Sequence, residues 1–212
     1  MAEIYLIRHG QSCWNLANRF TGSINIPLTP KGRAEALEIA DRFINIDFSH
    51  VFVSDLIRAQ ETALLALSTQ KRTCELVESA PAIYDNLAIK TDARLNERDY
   101  GKLQGMNKDQ ARQEYGLEQV HSWRRAFSER PPAGESLADT VERVRPFYEH
   151  NLMPVLNAEP GAKIAIFAHG NSIRALHKLF LGLSSAEIIK FELKTGAVLH
   201  YSFDGARFDF HQ

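Results

Sequence analysis

Hydrophobic and polar positions along the chain follow two alternating patterns. Short β-rich runs occur at residues 3–8 (EIYLIR), 50–53 (HVFV) and 163–168 (KIAIFA). The third is continuously apolar from Ile164 onward, the pattern of a strand covered on both faces of a parallel sheet. Helical periodicity follows each run. Thr29-Pro30 reads as an N-cap with proline at the first helical position. The helix it opens runs to about Phe43, with Ala34, Leu37, Ile39, Ala40 and Phe43 as core candidates. Ser54 reads as the cap of a helix from about Leu56 to Leu67. A helix from about Asn171 to Leu181 stops at Gly182, and Ser184 with Glu187 forms a capping box for one more short helix. Residues 197–203 and 206–210 flank Asp204-Gly205, a hairpin signal. Strands alternating with helices predict an α/β fold with a mostly parallel central sheet.

Two segments depart from this alternation. Residues 90–134 are polar, rich in Arg, Asn, Gln and Glu, and end at Pro131-Pro132. They read as a cap-like excursion over the sheet with one or two helices near 107–128, in a single domain spanning 1–212. A long helix is expected from about Ser136 to Asn157, bent or interrupted at Pro146 and Pro154.

Composition narrows the function classes. The 212 residues are 44% hydrophobic and 24% charged, a globular mix rather than that of a disordered or fibrous chain. The 25 Lys and Arg balance 26 Asp and Glu, so no global basic field exists for nucleic acid. Apolar runs such as Ala63–Leu67 are far too short to span a bilayer, and Arg8 breaks the N-terminal apolar stretch, unlike a signal peptide. The two cysteines, Cys13 and Cys74, lack metal-type spacing and point to a reduced, cytoplasmic setting. Cys13 is expected to be a small buried residue rather than a nucleophile. The partner expected is a small molecule, with no nucleic acid and no membrane; a homo-oligomer stays open.

The chemistry-bearing residues cluster at strand ends. Arg8-His9-Gly10 closes the first run and Ala168-His169-Gly170-Asn171 closes the third. Ligands of parallel α/β sheets bind beyond the carboxyl ends of the strands, and helix N-termini favour anions. Alone, either histidine could be a hydrogen-bonded structural residue; His9 could equally be a nucleophile, a general base or a metal ligand. If the two strands are neighbours, both imidazoles meet over one pocket. Arg58 follows the second run on the same rim, and Arg8, Arg58 and the two histidines would make a cationic nest for a phosphate dianion. Glu97, in LNERDYG, could serve as general acid and base once burial and phosphate hold a proton on it, or could merely pair with Arg94 or Arg98. Lys108, Arg124 and Arg125, the last two beside Trp123 and Phe127, exceed the charge one phosphoryl group needs and suggest a substrate with a second anionic group.

With these residues assembled, RHGQSCWN, SDLIRAQET and AHGNS resemble the signatures of the histidine phosphatase superfamily. RFTGSINIPLTPKG, LNERDYGKLQGMNK, WRRAF and PPAGESLADT resemble its cofactor-dependent phosphoglycerate mutases, over about Ile4 to Phe203. The resemblance implies a three-layer α/β/α fold and a phosphoenzyme mechanism primed by 2,3-bisphosphoglycerate, without a metal. It implies that His9 is the nucleophile, that Arg8, Arg58 and His169 hold the transferring phosphoryl group with Asn15, and that Glu97 moves the substrate proton. Thr21 and Gly22 match positions near the substrate carboxylate. Tyr100, Lys108, Arg124, Arg125 and Asn171 match positions holding its other anionic end. The second ring nitrogen of His9 is expected to donate to the carbonyl of the strand-end turn.

The chain departs from many such mutases in three places. Only Ala133-Gly134-Glu135 separates Pro132 from Ser136, the chain stops at Gln212 without a longer tail, and Asp99 stands where histidine is common. A less covered site would admit water and favour hydrolysis. A phosphatase acting on a small phosphorylated metabolite is therefore the alternative. A silent phospho-ligand binder and a metallohydrolase using His9 and His169 fit less well: the first needs no general acid, and the second lacks further ligands at suitable spacing.

Overall fold

The structure, a computed structural model, describes residues 1–72, 74–77 and 87–211. The strands are Ala2–Arg8 (β1), His50–Val53 (β2), Cys74–Val77 (β3), Leu87–Thr91 (β4), Lys163–Ala168 (β5), Val198–Phe203 (β6) and Phe208–His211 (β7). They form one sheet in the order β3-β4-β2-β5-β1-β6-β7. The first five in that order run parallel, and the β6–β7 hairpin adds two antiparallel strands at one edge. The helices are Cys13–Leu16 (α1), Pro30–Phe43 (α2), Ile57–Ala66 (α3), Lys108–Tyr115 (α4), Leu117–Arg125 (α5), Leu137–Phe147 (α6), Met153–Ala158 (α7), Gly170–Leu181 (α8) and Ser185–Ile188 (α9).

Side-chain alternation along the central strands builds two cores. Ile4, Leu6, Ile164 and Ile166 face Val141, Val144 and Phe147 of α6 and Ile173 and Leu176 of α8. Tyr5, Ile7, Ala165 and Phe167 face Ile39 and Phe43 of α2 and Ala59, Ala63 and Ala66 of α3. The result is the three-layer α/β/α arrangement. A third, smaller cluster of Phe20, Leu103, Ala111, Val120 and Trp123 holds α4 and α5 together over the sheet's end. Among the described residues no helix is long and apolar enough to cross a membrane.

Several local expectations are corrected. The buried face of α2 is Gly32, Ala36, Ile39, Ala40 and Phe43, while Ala34 is exposed and Leu37 is 48% exposed. At 100° per residue, position 37 turns off the stripe that 32, 36, 39 and 43 define. Ser54 does not cap α3, whose N-cap is Leu56 without a side-chain bond. Its hydroxyl instead accepts from Leu56 N at 3.1 Å and pairs with His169 Nε2 at 2.6 Å. Strands β3 and β4 lie in a stretch with no strong period to mark them, and β4 ends at Thr91. The helix expected over 136–157 is two α-helices joined by a π-helical turn at Tyr148–Leu152. Pro146 lies inside α6 and Pro154 in the first turn of α7, where the missing N–H is tolerated.

Three strand ends share one rim. Arg8 lies opposite Ala168 and Val53 opposite Phe167, so His9, His169 and Ser54 leave the sheet side by side. The rim is locked by a close approach of the loop after β1 to the start of α2. A Cβ on Gly10 would sit 2.2 Å from the Gly32 carbonyl oxygen, and one on Gly32 would sit 2.1 Å from the Gln11 carbonyl oxygen. Gly32→Ala is therefore expected to lower stability by about 1–3 kcal/mol through forced backbone displacement. Gly161→Ala, with nothing near its Cβ, is expected to stay within about 0.5 kcal/mol. Urea denaturation of the two variants checks the contrast.

Candidate active site

The two strand-end histidines meet as their pairing demands. His9 and His169 are buried, with ring centroids 4.9 Å apart. His9 Nδ1 lies 2.7 Å from the Gly10 carbonyl oxygen. A carbonyl only accepts, so the proton sits on Nδ1 and the Nε2 lone pair is left for chemistry. Arg58 Nε donates to that lone pair at 3.3 Å. Burial first, then Arg58 and Arg8, push the His9 pKa well below its ordinary value, so the ring is neutral and nucleophilic. Burial, Arg58 and His9 act on His169 in the same sense.

The arginines around this pair are held by backbone carbonyls rather than by carboxylates. Arg58 is fully buried and donates from Nη1 to Ile24 O and from Nη2 to Gly22 O, each at 2.8 Å. Gly22 reaches this position at φ +56°. Burial lowers the Arg58 pKa to about 10, which leaves it charged at neutral pH. Arg8 Nη1 donates to Leu193 O, and its buried Nε has no partner among the described residues. Thr21 Oγ1 is likewise buried and unpartnered. Asn15 closes a capping box with Ser12: its Oδ1 accepts from Ser12 N at 3.1 Å, which turns its amide N–H groups away from that bond. Asn15, Thr21 and Gly22 line the same cleft as Arg8, His9 and Arg58.

Glu97 does not pair with an arginine at the surface. Its Oε1 accepts from Arg98 N at 2.8 Å, Asn171 N at 3.0 Å and Asn171 Nδ2 at 3.1 Å. The loop carrying it is anchored from α6. Arg143 donates to the carbonyls of Arg94 and Asn96 and forms a two-point pair with Glu135, each arm 2.9 Å. Glu135 in turn accepts from Asp99 N. Asp99 itself turns away from Glu97: its carboxylate accepts from Gly101 N at 2.5 Å and Ser23 Oγ at 2.9 Å, serving the turn at Gly101.

The rest of the cleft lining is cationic too. Lys108, Arg124, Arg125, Tyr100 and Asn171 belong to it, in a cavity of about 190 Å³ shared with His9. Burial first, then Arg124, Arg8 and Arg112, lower the Lys108 pKa to about 8. Arg125 pairs with Glu192 at 2.7 Å. Of the thirteen site residues expected from the sequence, twelve line this cleft, and His169 lies just behind His9.

Other residues of the site escaped the sequence reading. Arg98 is fully buried, stacks over the Tyr100 ring at 4.5 Å and donates to its hydroxyl at 2.8 Å. Arg174, Arg19, Phe191, Glu192 and Leu193 also line the cleft. The segment 191–193 carried no motif, and Arg174 looked like an ordinary helix residue. The Ser54 contact with His169 was legible only as a misplaced cap. Cys13, expected to be buried, is exposed: it is the first residue of a four-residue helix whose side chains lie outside the cores. Among the described residues no group of three or more His, Cys, Asp or Glu could hold a metal ion.

Comparison with known proteins places this geometry. Residues 4–212 match the model of the histidine phosphatase superfamily, branch 1. The 2,3-bisphosphoglycerate-dependent phosphoglycerate mutase of Protochlamydia amoebophila is 42% identical, over 96% of this chain and 96% of its own length. That of Bartonella bacilliformis is 43% identical over 95% and 92%. Mutase 1 of Arabidopsis thaliana is 41% identical over 98% of this chain, which spans 66% of the plant protein. Among solved structures, a mycobacterial glucosyl-3-phosphoglycerate phosphatase in complex with VO3 superposes with a TM-score of 0.83 at 25% identity, covering 99% of this chain and 96% of that one.

The lowered Lys108 pKa makes anion binding pH-dependent. Lys108 is cationic below about pH 8 and neutral above it. Sulfate, whose own charge does not change in this range, is expected to bind about five-fold more weakly at about pH 9.5 than at about pH 7, the worth of roughly 1 kcal/mol of screened attraction. Lys108→Arg should flatten the profile. Titration calorimetry at the two pH values checks it.

Proposed function

The chain belongs to the histidine phosphatase superfamily, and from that premise we propose that it interconverts 2- and 3-phosphoglycerate as a 2,3-bisphosphoglycerate-dependent phosphoglycerate mutase. The observation that carries this reading is a single cleft lined both by the neutral, buried His9 with Arg8 and Arg58 and by a second cationic set, Lys108, Arg124 and Arg125. A simple monoester needs only the first set. A phosphoglycerate, with a phosphate and a carboxylate or second phosphate, uses both. In this reading the chain is one domain and the insertion at about 90–134 is its cap.

The residues present fit the bisphosphate. The buried Arg8 Nε and Thr21 Oγ1, without partners among the described residues, offer donors to the cleft. Lys108, Arg124 and Arg125 supply further positive charge. When bound, the bisphosphate supplies the phosphoryl group that primes His9. The rest is the work of the chain. Gly10 O holds the imidazole in the Nδ1–H tautomer, so Nε2 faces the phosphorus. Arg8 and Arg58 offset the charge on the transferring oxygens, which is most of what phosphoryl transfer requires of a protein. As the N–P bond forms and the ester bond breaks, Glu97 gives a proton to the departing alkoxide; in the return step it takes the proton of the attacking hydroxyl. Asn15 and His169 complete the phosphoryl cage. Thr21 and Gly22 lie near the substrate carboxylate, and Tyr100, Lys108, Arg124, Arg125 and Asn171 hold its other anionic end.

The test is direct. Protein given 3-phosphoglycerate and a trace of 2,3-bisphosphoglycerate, with chelator present, is expected to form 2-phosphoglycerate. It should carry an acid-labile phosphoryl group that is absent from His9→Ala. Glu97→Gln is expected to lose about 100-fold or more in turnover, the usual weight of general acid–base catalysis. Phosphate release without isomerisation would replace the mutase reading with a phosphatase.

A further inference from the structure

Glu97 uses its two carboxylate oxygens unequally. Oε1 accepts three N–H groups: Arg98 N, Asn171 N and Asn171 Nδ2. An oxygen so occupied has no lone pair free for a proton. Oε2 receives none of them. It lies over Gly170, where an added Cβ would stand 3.5 Å from Oε2 and 3.6 Å from Arg8 Cζ. Oε2 is therefore the oxygen on the Arg8 side of the cleft, where the phosphoryl group reacts.

One of the three bonds to Oε1 depends on which way an amide points. Asn171 could present either its oxygen or its nitrogen to Glu97, and only the nitrogen is attractive to a carboxylate. Arg174, one helical turn later on α8, settles the choice. Its Nη1 donates to Asn171 Oδ1 at 3.2 Å, so that oxygen is turned away from Glu97 and Nδ2 toward it. Arg174 is itself fixed at its other arm, where Nη2 donates to Ile188 O at 2.8 Å. It is 6% exposed and Asn171 7%, so water does not compete freely for either group. No carboxylate neutralises the guanidinium in its hydrogen-bonded contacts.

We propose that Arg174 is a positioning residue for proton transfer: by fixing the Asn171 amide it anchors Glu97 through Oε1 and leaves Oε2 to carry the proton. The proposal rests on the reading of Glu97 as general acid and base. In the step it serves, the Oε2 proton passes to the ester oxygen as that oxygen leaves phosphorus and His9 Nε2 bonds to it. In reverse, Oε2 takes the hydroxyl proton as the oxygen bonds to phosphorus and the N–P bond breaks. Without Arg174 the amide oxygen loses its partner and the amide is free to turn, which weakens one of the three bonds to Oε1 and loosens the carboxylate's alignment.

The leaving group provides the test. An alkoxide leaving from 2,3-bisphosphoglycerate needs the proton, whereas p-nitrophenolate leaves without one. Arg174→Met keeps an unbranched apolar stem and removes the guanidinium, and a thermal melt checks that it folds. It is expected to slow His9 phosphorylation by 2,3-bisphosphoglycerate by about 30-fold at saturation, as expected for a misplaced acid. The p-nitrophenyl phosphate reaction should change by less than about three-fold, because general acid assistance is not at stake there. Arg174→Lys, which can still reach Asn171 Oδ1, should recover most of the loss. Equal losses with both donors would mean a structural role only, and a raised KM with unchanged saturating rate would mean direct substrate binding; either overturns the proposal. If the wild-type protein accepts a phosphoryl group from neither donor, the mutase reading fails and the proposal with it. If the wild type reacts with both and the variant loses both alike, only the proposal fails.

Discussion

The site depends on a way of burying arginines without cancelling them. A guanidinium removed from water must recover its hydrogen bonds, and the usual partner is a carboxylate, which also removes the charge. Here the partners are mostly carbonyls. Gly22 and Ile24 hold Arg58, Leu193 holds Arg8, and Ile188 holds Arg174. Each carbonyl satisfies a donor and leaves the positive charge in place. The loops that supply them come from widely separated parts of the chain, so the folded backbone assembles the cation cluster. An unneutralised cluster is costly in the free protein and favourable once an anion enters.

The same cluster decides what the histidines are. A solvent-exposed imidazole near neutral pH is a mixture of charged and neutral forms. Between Arg8 and Arg58, and shut away from water, His9 is held neutral. The Gly10 carbonyl then selects the tautomer. Two separate constraints, one electrostatic and one geometric, thus leave a neutral ring with its unprotonated lone pair on Nε2. Burial alone would leave the tautomer open, and the carbonyl alone would leave the charge open.

Much of this was legible in the chain. The β1 and β5 runs ended in His-Gly, and parallel pairing of those runs was enough to place the imidazoles together. Thr29-Pro30, Ser136, Gly182 and Ser184 marked helix ends because capping chemistry is local. What was not legible was set by partners distant in sequence. Ala34 and Leu37 have the right residue types for a core, yet the sheet selects the stripe through Gly32 and Ala36 because the loop at Gly10 and Gln11 must approach closely there. Ser54 reads as a cap, but His169, 115 residues away, claims its hydroxyl. Arg98 and Arg174 look like surface arginines on any local pattern. Only the assembled cleft, with Tyr100 under one and Asn171 against the other, explains their burial.

The arginines of the cleft are held to different tolerances, and this bears on how one site can grip two isomers. Arg58 is fully buried and bonded to two carbonyls, and Arg8 is bonded to a third. Arg125 is paired with Glu192, a contact whose side chains are 34% and 67% exposed. Exposed pairs of this kind contribute about 0–1 kcal/mol, so an incoming carboxylate or phosphate can take over Arg125 at little cost. The reacting phosphoryl group meets a fixed frame, as in-line transfer requires. The remainder of the ligand meets a charge held only by an exposed pair. A mutase must hold the phosphorus in one place while the glycerate skeleton presents first one oxygen and then the other. A rigid phosphoryl frame with one exchangeable anchor meets that requirement, whereas equal rigidity throughout would favour a single isomer.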